Sequence, residues 1–477
     1  MLRKIINTTL FIPLSFFVTF QQSILSENKN FIDEITRINQ DKIFIDHQEI
    51  KNIILNNNDE LKSLKELIEA SSFNLSSKIA KRYPSIDLQA NGLPKYVAGR
   101  NYNSNSNNTK TSQFSVNPSL NIRWDLIDPL RGPEIKIARE NLKIAKNNYE
   151  IKRKDLIQEA SNRYHKYQKS SQDIVNRKLA LDLSMTSLEN AQAKFDAGIG
   201  TKFEVLEADA QLSRDKQTLY EKKIEHQINK ISLKEILNLK EDFEIKKEQK
   251  LLGYWNHKLN KNIKNGLESN LSLKNISLQK SIKDNEANSY LNSNKPSIYI
   301  SNSLSSAFTK GDSLAPDIDP NEYGSSYSNT ISLNLSWNIF NGGQNKKSYK
   351  SRKYQAKGEE YSYNNLKSIL KTNITKTYLN LKLNEEKILS TSKEILSTKE
   401  SLRLARMRYD VGISTLKDVL VRQKELSDAK SKNINAIYNY NLNLDELERL
   451  TFLEISNNCL DNDNTIKETE SICNIPR

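Results

Sequence analysis

Two periodicities alternate along this chain. Over four short stretches, apolar and polar residues follow each other with a period of two, the mark of a strand with one apolar and one polar face. Phe114, Val116, Leu120, Ile122, Trp124 and Leu126 share one side, and Ser115, Asn117, Ser119, Asn121, Arg123 and Asp125 the other. A second such stretch sets Ile331, Leu333, Leu335, Trp337 and Ile339 against Ser332, Asn334, Ser336 and Asn338. The pattern predicts strands at about 84–98, 113–126, 296–309 and 329–341. Between them, apolar residues recur at helical spacing, predicting helices at about 59–82, 133–196, 201–240, 267–294, 344–410 and 415–451.

The two halves are copies of one unit. Tyr83-Pro84-Ser85-Ile86-Asp87-Leu88 returns as Lys295-Pro296-Ser297-Ile298-Tyr299-Ile300, 212 residues later. Ser119 to Leu126 returns as Ser332 to Ile339 after 213 residues, and Phe195-Asp196-Ala197-Gly198-Ile199 as Tyr409-Asp410-Val411-Gly412-Ile413 after 214. A drift of one residue per segment is what small loop changes between matched elements produce. The organisation expected is a first repeat over 27–240, a linker over 241–266 that would lie at the equator, a second repeat over 267–452 and a tail over 453–477.

Each strand pair encloses a polar segment, 99–112 and 310–328. Soluble sheets also show one apolar face, packed on a core. Short two-faced strands joined by long hydrophilic loops fit a membrane barrel instead, where about ten residues cross the apolar band. Four strands cannot close a barrel, and open edges do not persist in lipid. The chain is therefore expected to lend its strands to a homo-oligomer.

Helix lengths test this. The helix over 133–196 would run ~96 Å, and its counterpart over 344–410 ~100 Å. In copy one, a returning helix of ~60 Å and the ~36 Å helix before the first strand together match that length, and copy two repeats the arithmetic with ~55 Å and ~42 Å. One continuous helix beside two stacked shorter ones is what a hollow helical cylinder needs. The returning helices carry a heptad seam, Val205, Leu212, Leu219, His226, Leu233 and Val419, Leu426, Asn433, Tyr440, Leu447, the packing signature of supercoiled helices. His226 is expected at the edge of its seam.

Composition narrows the function. Only 36% of the chain is apolar, below the ~45% of ordinary globular domains, so no thick conventional core is expected. The 27% of charged residues and net charge of +14 are interspersed in sign, which suits solvated helix faces rather than a nucleic-acid footprint. Arg3 and Lys4 precede an apolar run, Leu10 to Val18, the layout of a secretory signal peptide, placed at 1–26. Nothing downstream approaches ~18 consecutive apolar residues, so no membrane-spanning helix is expected. Cys459 and Cys473 could staple a tail loop in an exported protein, and the four histidines, at 47, 165, 226 and 257, are spread too widely in sequence to suggest a metal site. Walker, dinucleotide-glycine, HExxH and nucleophile-elbow patterns are missing, so neither a catalytic residue nor a cofactor is expected.

From about residue 43 to 450 the chain resembles the TolC-type outer-membrane efflux protein family. The resemblance is carried by Ile45-Asp46-His47-Gln48-Glu49-Ile50 followed by Asn56-Asn57-Asn58-Asp59-Glu60-Leu61, by Trp337-Asn338-Ile339-Phe340-Asn341-Gly342-Gly343, and by Tyr409-Asp410-Val411-Gly412 with Asp418-Val419-Leu420. It implies an α+β membrane protein: a homotrimer whose twelve-stranded transmembrane β-barrel, four strands per chain, sits in outer-membrane lipid and continues as a coiled-coil-like α-helical barrel in the periplasm. It also implies docking with a periplasmic adaptor protein and an inner-membrane ABC or proton-driven pump, in efflux or type I secretion.

The resemblance places a gate and adaptor-contact site at the helix tips, at Asp196, Gly198, Thr201 and Glu204 in copy one and Tyr409, Gly412, Thr415 and Asp418 in copy two. Turn chemistry alone accounts for several of these: Gly198 and Gly412 can end helices, Thr201-x-x-Glu204 is a capping box and Thr415-x-x-Asp418 its near relative. Ser414 and Val421 stand where the best-known members carry Arg and Asp, so the resemblance brings no closing salt bridge to those positions. Acidic side chains at the tips are expected to favour cations there. A secreted coiled-coil rod with a small sheet head, structural or adhesive, is the alternative; it does not explain why strand pairs recur in mid-chain.

Overall fold

The computed structural model describes residues 43–101, 109–245, 251–312 and 323–456. The expected signal peptide, Cys459 and Cys473 lie outside them. In chain order the elements are β1 (Ile43–Ile45), α1 (His47–Asn57), α2 (Asp59–Ala80), β2 (Ser85–Asn101), β3 (Thr109–Ile127), α3 (Arg131–Asp196), α4 (Lys202–Ile236), β4 (Phe243–Ile245), α5 (Leu259–Ser269), α6 (Leu271–Asn292), β5 (Ser297–Asp312), β6 (Tyr323–Ser336), α7 (Gln344–Asp410) and α8 (Leu416–Thr451). None of the described helices is long and apolar enough to cross a membrane.

The contacts divide the chain into two compact units. One holds a four-stranded antiparallel sheet in the order β2-β3-β5-β6. Its register makes the period-two pattern concrete. Ile86, Ile122, Asn302 and Ile331 form one cross-strand row, and Leu88, Leu120, Leu304 and Asn329 another. On the opposite face run Ser85, Arg123, Ser301, Ser332 and, next to them, Asp87, Asn121, Ser303, Thr330. Hydroxyls and amides stitch this face together, Ser301 to Ser332 at 2.8 Å, Ser303 to Asn121 at 2.8 Å and Asn334 to Ser301 at 2.9 Å. The apolar face covers no core: Ile86, Leu88, Ile331, Leu333 and Leu335 are each 65% exposed or more.

The strands differ from the sequence reading at their ends. β2, β3, β5 and β6 reach into the segments taken as loops, so that 102–108 and 313–322, outside the described residues, are what separates the strands of each pair. β6 stops at Ser336 rather than near 341. Ser336 pairs with Ser297, the first residue of β5, so the ladder has no further rung, and the next residue, Trp337, donates its indole N–H to the carbonyl of Asn294 at 2.9 Å and ties the chain to the end of α6. Trp124, its repeat mate, makes the same bond to the carbonyl of Arg82 at 3.0 Å.

The duplication also reaches further back than the sequence comparison found. Asn58 accepts the amide of Leu61 at 3.1 Å and starts α2, and Asn270 accepts that of Leu273 at 3.0 Å and starts α6. Both have extended backbones, as N-cap residues do. Each is preceded by an 11-residue helix, α1 or α5. The helix expected at 267–294 is thus two helices broken at Asn270, and α5 occupies part of the stretch expected as a linker.

In the sheet-bearing unit the helices pack Leu273, Leu370, Ile374 and Leu450 into a small core with Ile263, Leu267, Tyr363 and Leu366 around it. Gly266 of α5 fits because it lacks a side chain: a Cβ there would lie 2.4 Å from the Ile374 Cδ1 and 3.0 Å from the Leu450 carbonyl oxygen. In the other unit β1 pairs in parallel with β4. His226, half-buried along its seam, stacks on Tyr167 of α3, centroids 4.4 Å apart, and bonds through Nδ1 to the Ser170 hydroxyl at 2.8 Å. Burial, reinforced by the charges of Asp242 and Glu244, pushes the Tyr167 phenol up to about 12. Distance in sequence misled for His47 and His165, whose rings stack 5.2 Å apart.

Gly266→Ala should destabilise the protein by about 1–3 kcal/mol through overpacking. Gly358→Ala, on α7 with open space around it, should stabilise by about 0.4–1 kcal/mol through the unfolded chain. Thermal unfolding of the detergent-solubilised protein, followed by circular dichroism, should move in opposite directions for the two.

Candidate functional site

The two helix tips lie in the same unit, and their backbones are built alike. α3 ends where the carbonyl of Lys194 accepts the amides of Ile199 and Gly200 at 3.0 and 2.9 Å. α7 ends where the carbonyl of Arg408 accepts those of Ile413 and Ser414 at 2.8 and 3.2 Å. Gly198 and Gly412 sit inside these turns with φ of +74° and +79°, a conformation that costs a residue with a Cβ about 1–2 kcal/mol.

The returning helices then start with reciprocal caps. The Thr201 hydroxyl accepts the Glu204 amide at 3.3 Å while the Glu204 carboxylate accepts the Thr201 amide at 3.4 Å. Asp418 does the same with Thr415, both bonds at 3.4 Å, and also takes the hydroxyls of Ser414 at 2.7 Å and Thr415 at 3.2 Å. These donors, Ser414 foremost, hold the Asp418 carboxyl below its usual range. Ser414, which departs from the pattern of the best-known efflux proteins, thus has a partner within its own turn. Asp196 accepts from Gln192 one turn earlier at 2.7 Å.

Tyr409 is the tip residue set apart from this surface chemistry. It is only 6% exposed and packs in one cluster with Ala191, Val205, Ala208, Leu402, Leu416 and Val419, drawn from all four helices of the two tips. Burial first, then the nearby charges of Glu204 and Asp410, raise its phenol above the ordinary value. Its hydroxyl is buried without a hydrogen-bond partner. The sequence comparison missed Lys194. Its ammonium donates to the Tyr409 carbonyl at 2.7 Å and lies 3.6 Å from the centre of the Tyr409 ring. The signal available in the sequence was its alignment with Arg408, a cation at the same place in the other copy. Around the buried cluster, Ile199, Phe203, Val411 and Ile413 are each 70% exposed or more.

Replacing Thr201 with Ala removes one cap and should cost about 1 kcal/mol, read as a lower unfolding temperature. The depressed Asp418 carboxyl stabilises its cap fully above the unfolded-state value, near 4, and that contribution is lost as pH falls through the lower folded value. Protection of the Asp418 amide in hydrogen exchange should therefore drop on acidification below about pH 4. Asp418→Asn should remove the pH dependence.

The fold and the tips can now be set beside known proteins. The family model described as outer membrane efflux protein matches residues 51–239 and 267–451, once for each copy. No curated protein matches the sequence. Among solved structures, CusC, studied for conformational changes accompanying folding and transmembrane channel formation, is 14% identical with a TM-score of 0.72, covering 87% of this chain and 95% of its own. The outer membrane protein VceC of Vibrio cholerae is 14% identical with a TM-score of 0.70, covering 85% and 96%. The open state of the Neisseria gonorrhoeae MtrE outer membrane channel is 15% identical with a TM-score of 0.63, covering 85% and 88%. Two family matches spanning most of the chain, on the TolC-like fold described above, make this protein a member of the outer membrane efflux protein family and an outer-membrane efflux channel.

Proposed function

We propose that the chain is one third of a homotrimeric duct that carries cargo passively from an inner-membrane pump, through a periplasmic adaptor, across the outer membrane. The observation that carries this is the sheet. It has one exposed apolar face, one hydrogen-bonded polar face, and β2 and β6 as outer strands without a further neighbour among the described residues. Lipid tolerates that only in a closed barrel, and three copies supply twelve strands. Exposed apolar residues at helical spacing on α4, Tyr220, Ile224, Ile228 and Ile231, give neighbouring copies a surface to cover. The energy source lies in the pump.

In this reading the tips, with Asp196, Gly198, Thr201, Glu204, Tyr409, Gly412, Thr415 and Asp418, form the periplasmic entrance and meet the adaptor. Glu204 and Asp418 hold caps and still present negative charge to solvent, which favours cations at the entrance.

Two measurements test the proposal. Light scattering on the purified protein, corrected for detergent, should give three times the mass of the mature chain; a monomer would end the duct model. In planar bilayers the protein should form cation-preferring channels. Glu204→Gln combined with Asp418→Asn should weaken that preference, and unchanged selectivity and conductance would remove the entrance role from these two residues.

A further inference from the structure

We propose that Lys310 and Arg100 form a docking site for the phosphorylated headgroup of an outer-leaflet lipid, on the lipid-facing side of the barrel at its outer end. This rests on reading the sheet as one third of a closed barrel. Three observations carry it.

The first is the height of the apolar face, which aromatic rings mark at both ends. Trp124 and Trp337 stand at the helix end, 44% and 55% exposed, with their indole N–H groups turned to helix-end carbonyls. At the other end Tyr96 packs on Phe114 with ring centres 4.8 Å apart, both rings exposed. The helical part belongs to the periplasm, so this second end faces outward. From Trp124 to Phe114 the chain runs ~33 Å along β3, or about 25 Å of height at the usual strand tilt. That equals the apolar band of an outer-membrane barrel. The Tyr96 hydroxyl lies 3.1 Å from that of Ser112, which stands further out along β3 than Phe114. The ring is thus in the band and its polar tip points to the headgroups, as suits an amphipathic side chain at an interface.

The second is where the charges stand. Between the two aromatic rows the apolar face carries no charged residue at any described position. Lys310 lies directly opposite Phe114, and Arg100 follows Tyr96 outward along β2 on the same side of the ladder. Both are exposed. A cation on the lipid face is costly at mid-bilayer and nearly free at the interface, and these two sit where the cost vanishes.

The third is their spacing and chemistry. Two strand intervals and four residues of rise set the Cα atoms of Arg100 and Lys310 roughly 16 Å apart. Long basic side chains reach toward the headgroup layer, so the pair brackets a single headgroup. Arginine takes phosphate through paired N–H donors and lysine takes it as a point charge. The rings of Tyr96 and Phe114 beneath them offer a surface to acyl chains, which a free anion or an acidic peptide would leave uncovered. The occupant that satisfies both parts is a lipid with phosphate on its headgroup, and bisphosphorylated lipid A is the outer-leaflet example.

Native mass spectrometry of the full-length protein in detergent, titrated with bisphosphorylated lipid A and with its fully dephosphorylated form, tests the site. The parent should prefer the phosphorylated lipid. Lys310→Gln combined with Arg100→Gln should weaken its binding by about thirtyfold, as expected for two interfacial cations. Lys95→Gln removes a charge from the polar face, where Lys95 stands opposite Ser115, and should bind as the parent does. Lys310→Arg with Arg100→Lys keeps both charges and should keep the preference.

Equal binding of the two lipid forms by the parent would overturn the proposal without recourse to any variant. So would unchanged affinity in the double glutamine variant, or an equal loss in Lys95→Gln, which would reduce the effect to net charge. Full displacement of lipid A by excess inorganic phosphate would also overturn it, leaving a site for free anions. A protein that binds neither lipid form and stays out of vesicles would remove the barrel reading itself, and the docking site with it.

Discussion

Hydrocarbon offers no partner to a backbone amide, and the rest of this structure follows from that. The four strands satisfy one another across three antiparallel ladders and, among the described residues, leave the outer sides of β2 and β6 open. Their apolar face, with Leu88 77% exposed and Leu333 71% exposed, has no core to cover within the chain. A single copy is therefore an incomplete object, and completeness comes from association. The helices extend the same logic: exposed apolar residues on them, such as Tyr220, Ile228 and Ile231 of α4, suit another copy.

Duplication explains how one chain builds a repeating wall. Three anchoring devices recur in both copies: the asparagine that starts α2 or α6, the indole that hitches a strand to the preceding helix end, and the carbonyl that closes the last turn of α3 or α7 on two amides. Each solves the same joint by the same bond. Where the copies part company the backbone gives slightly: the amide of Ser414 lies 3.2 Å from its acceptor against 2.9 Å for Gly200. A Cβ on Gly200 would approach the Phe195 nitrogen to 2.9 Å, so the looser turn is the one that can carry a hydroxyl to Asp418.

What the sequence revealed depended on the range of the interaction. Alternation and heptads are local, so the strand faces and the buried seam of Val205, Leu212, Leu219 and Leu233 were legible. The Thr201 cap spans four residues and was legible for the same reason. The end of β6 was not, because it is set by the start of its partner strand, where Ser297 pairs with Ser336, 39 residues away. β1 and β4, three residues each, are too short to show a period. His226 was legible as a seam residue from its heptad row, but its partners on another helix, Tyr167 and Ser170, were not. Lys194 is the sharpest case: a lysine in a final helical turn suits the helix dipole wherever it points, and only folding brings Tyr409 under it.

The polar face of the sheet carries few charges among its serines, threonines and asparagines, with Asp87, Arg123 and Asp125 toward one end and Lys95, opposite Ser115, toward the other. Arg123 is itself held flat on the Tyr299 ring at 3.7 Å and paired to Asp125 at 2.9 Å. Hydroxyls and amides of this kind exchange bonds with water and with a passing solute on nearly equal terms. Such a wall is a poor discriminator and a good lubricant: it neither grips an anion nor repels a cation strongly enough to delay either. A duct lined by such a face would leave the choice among solutes to groups elsewhere along the path.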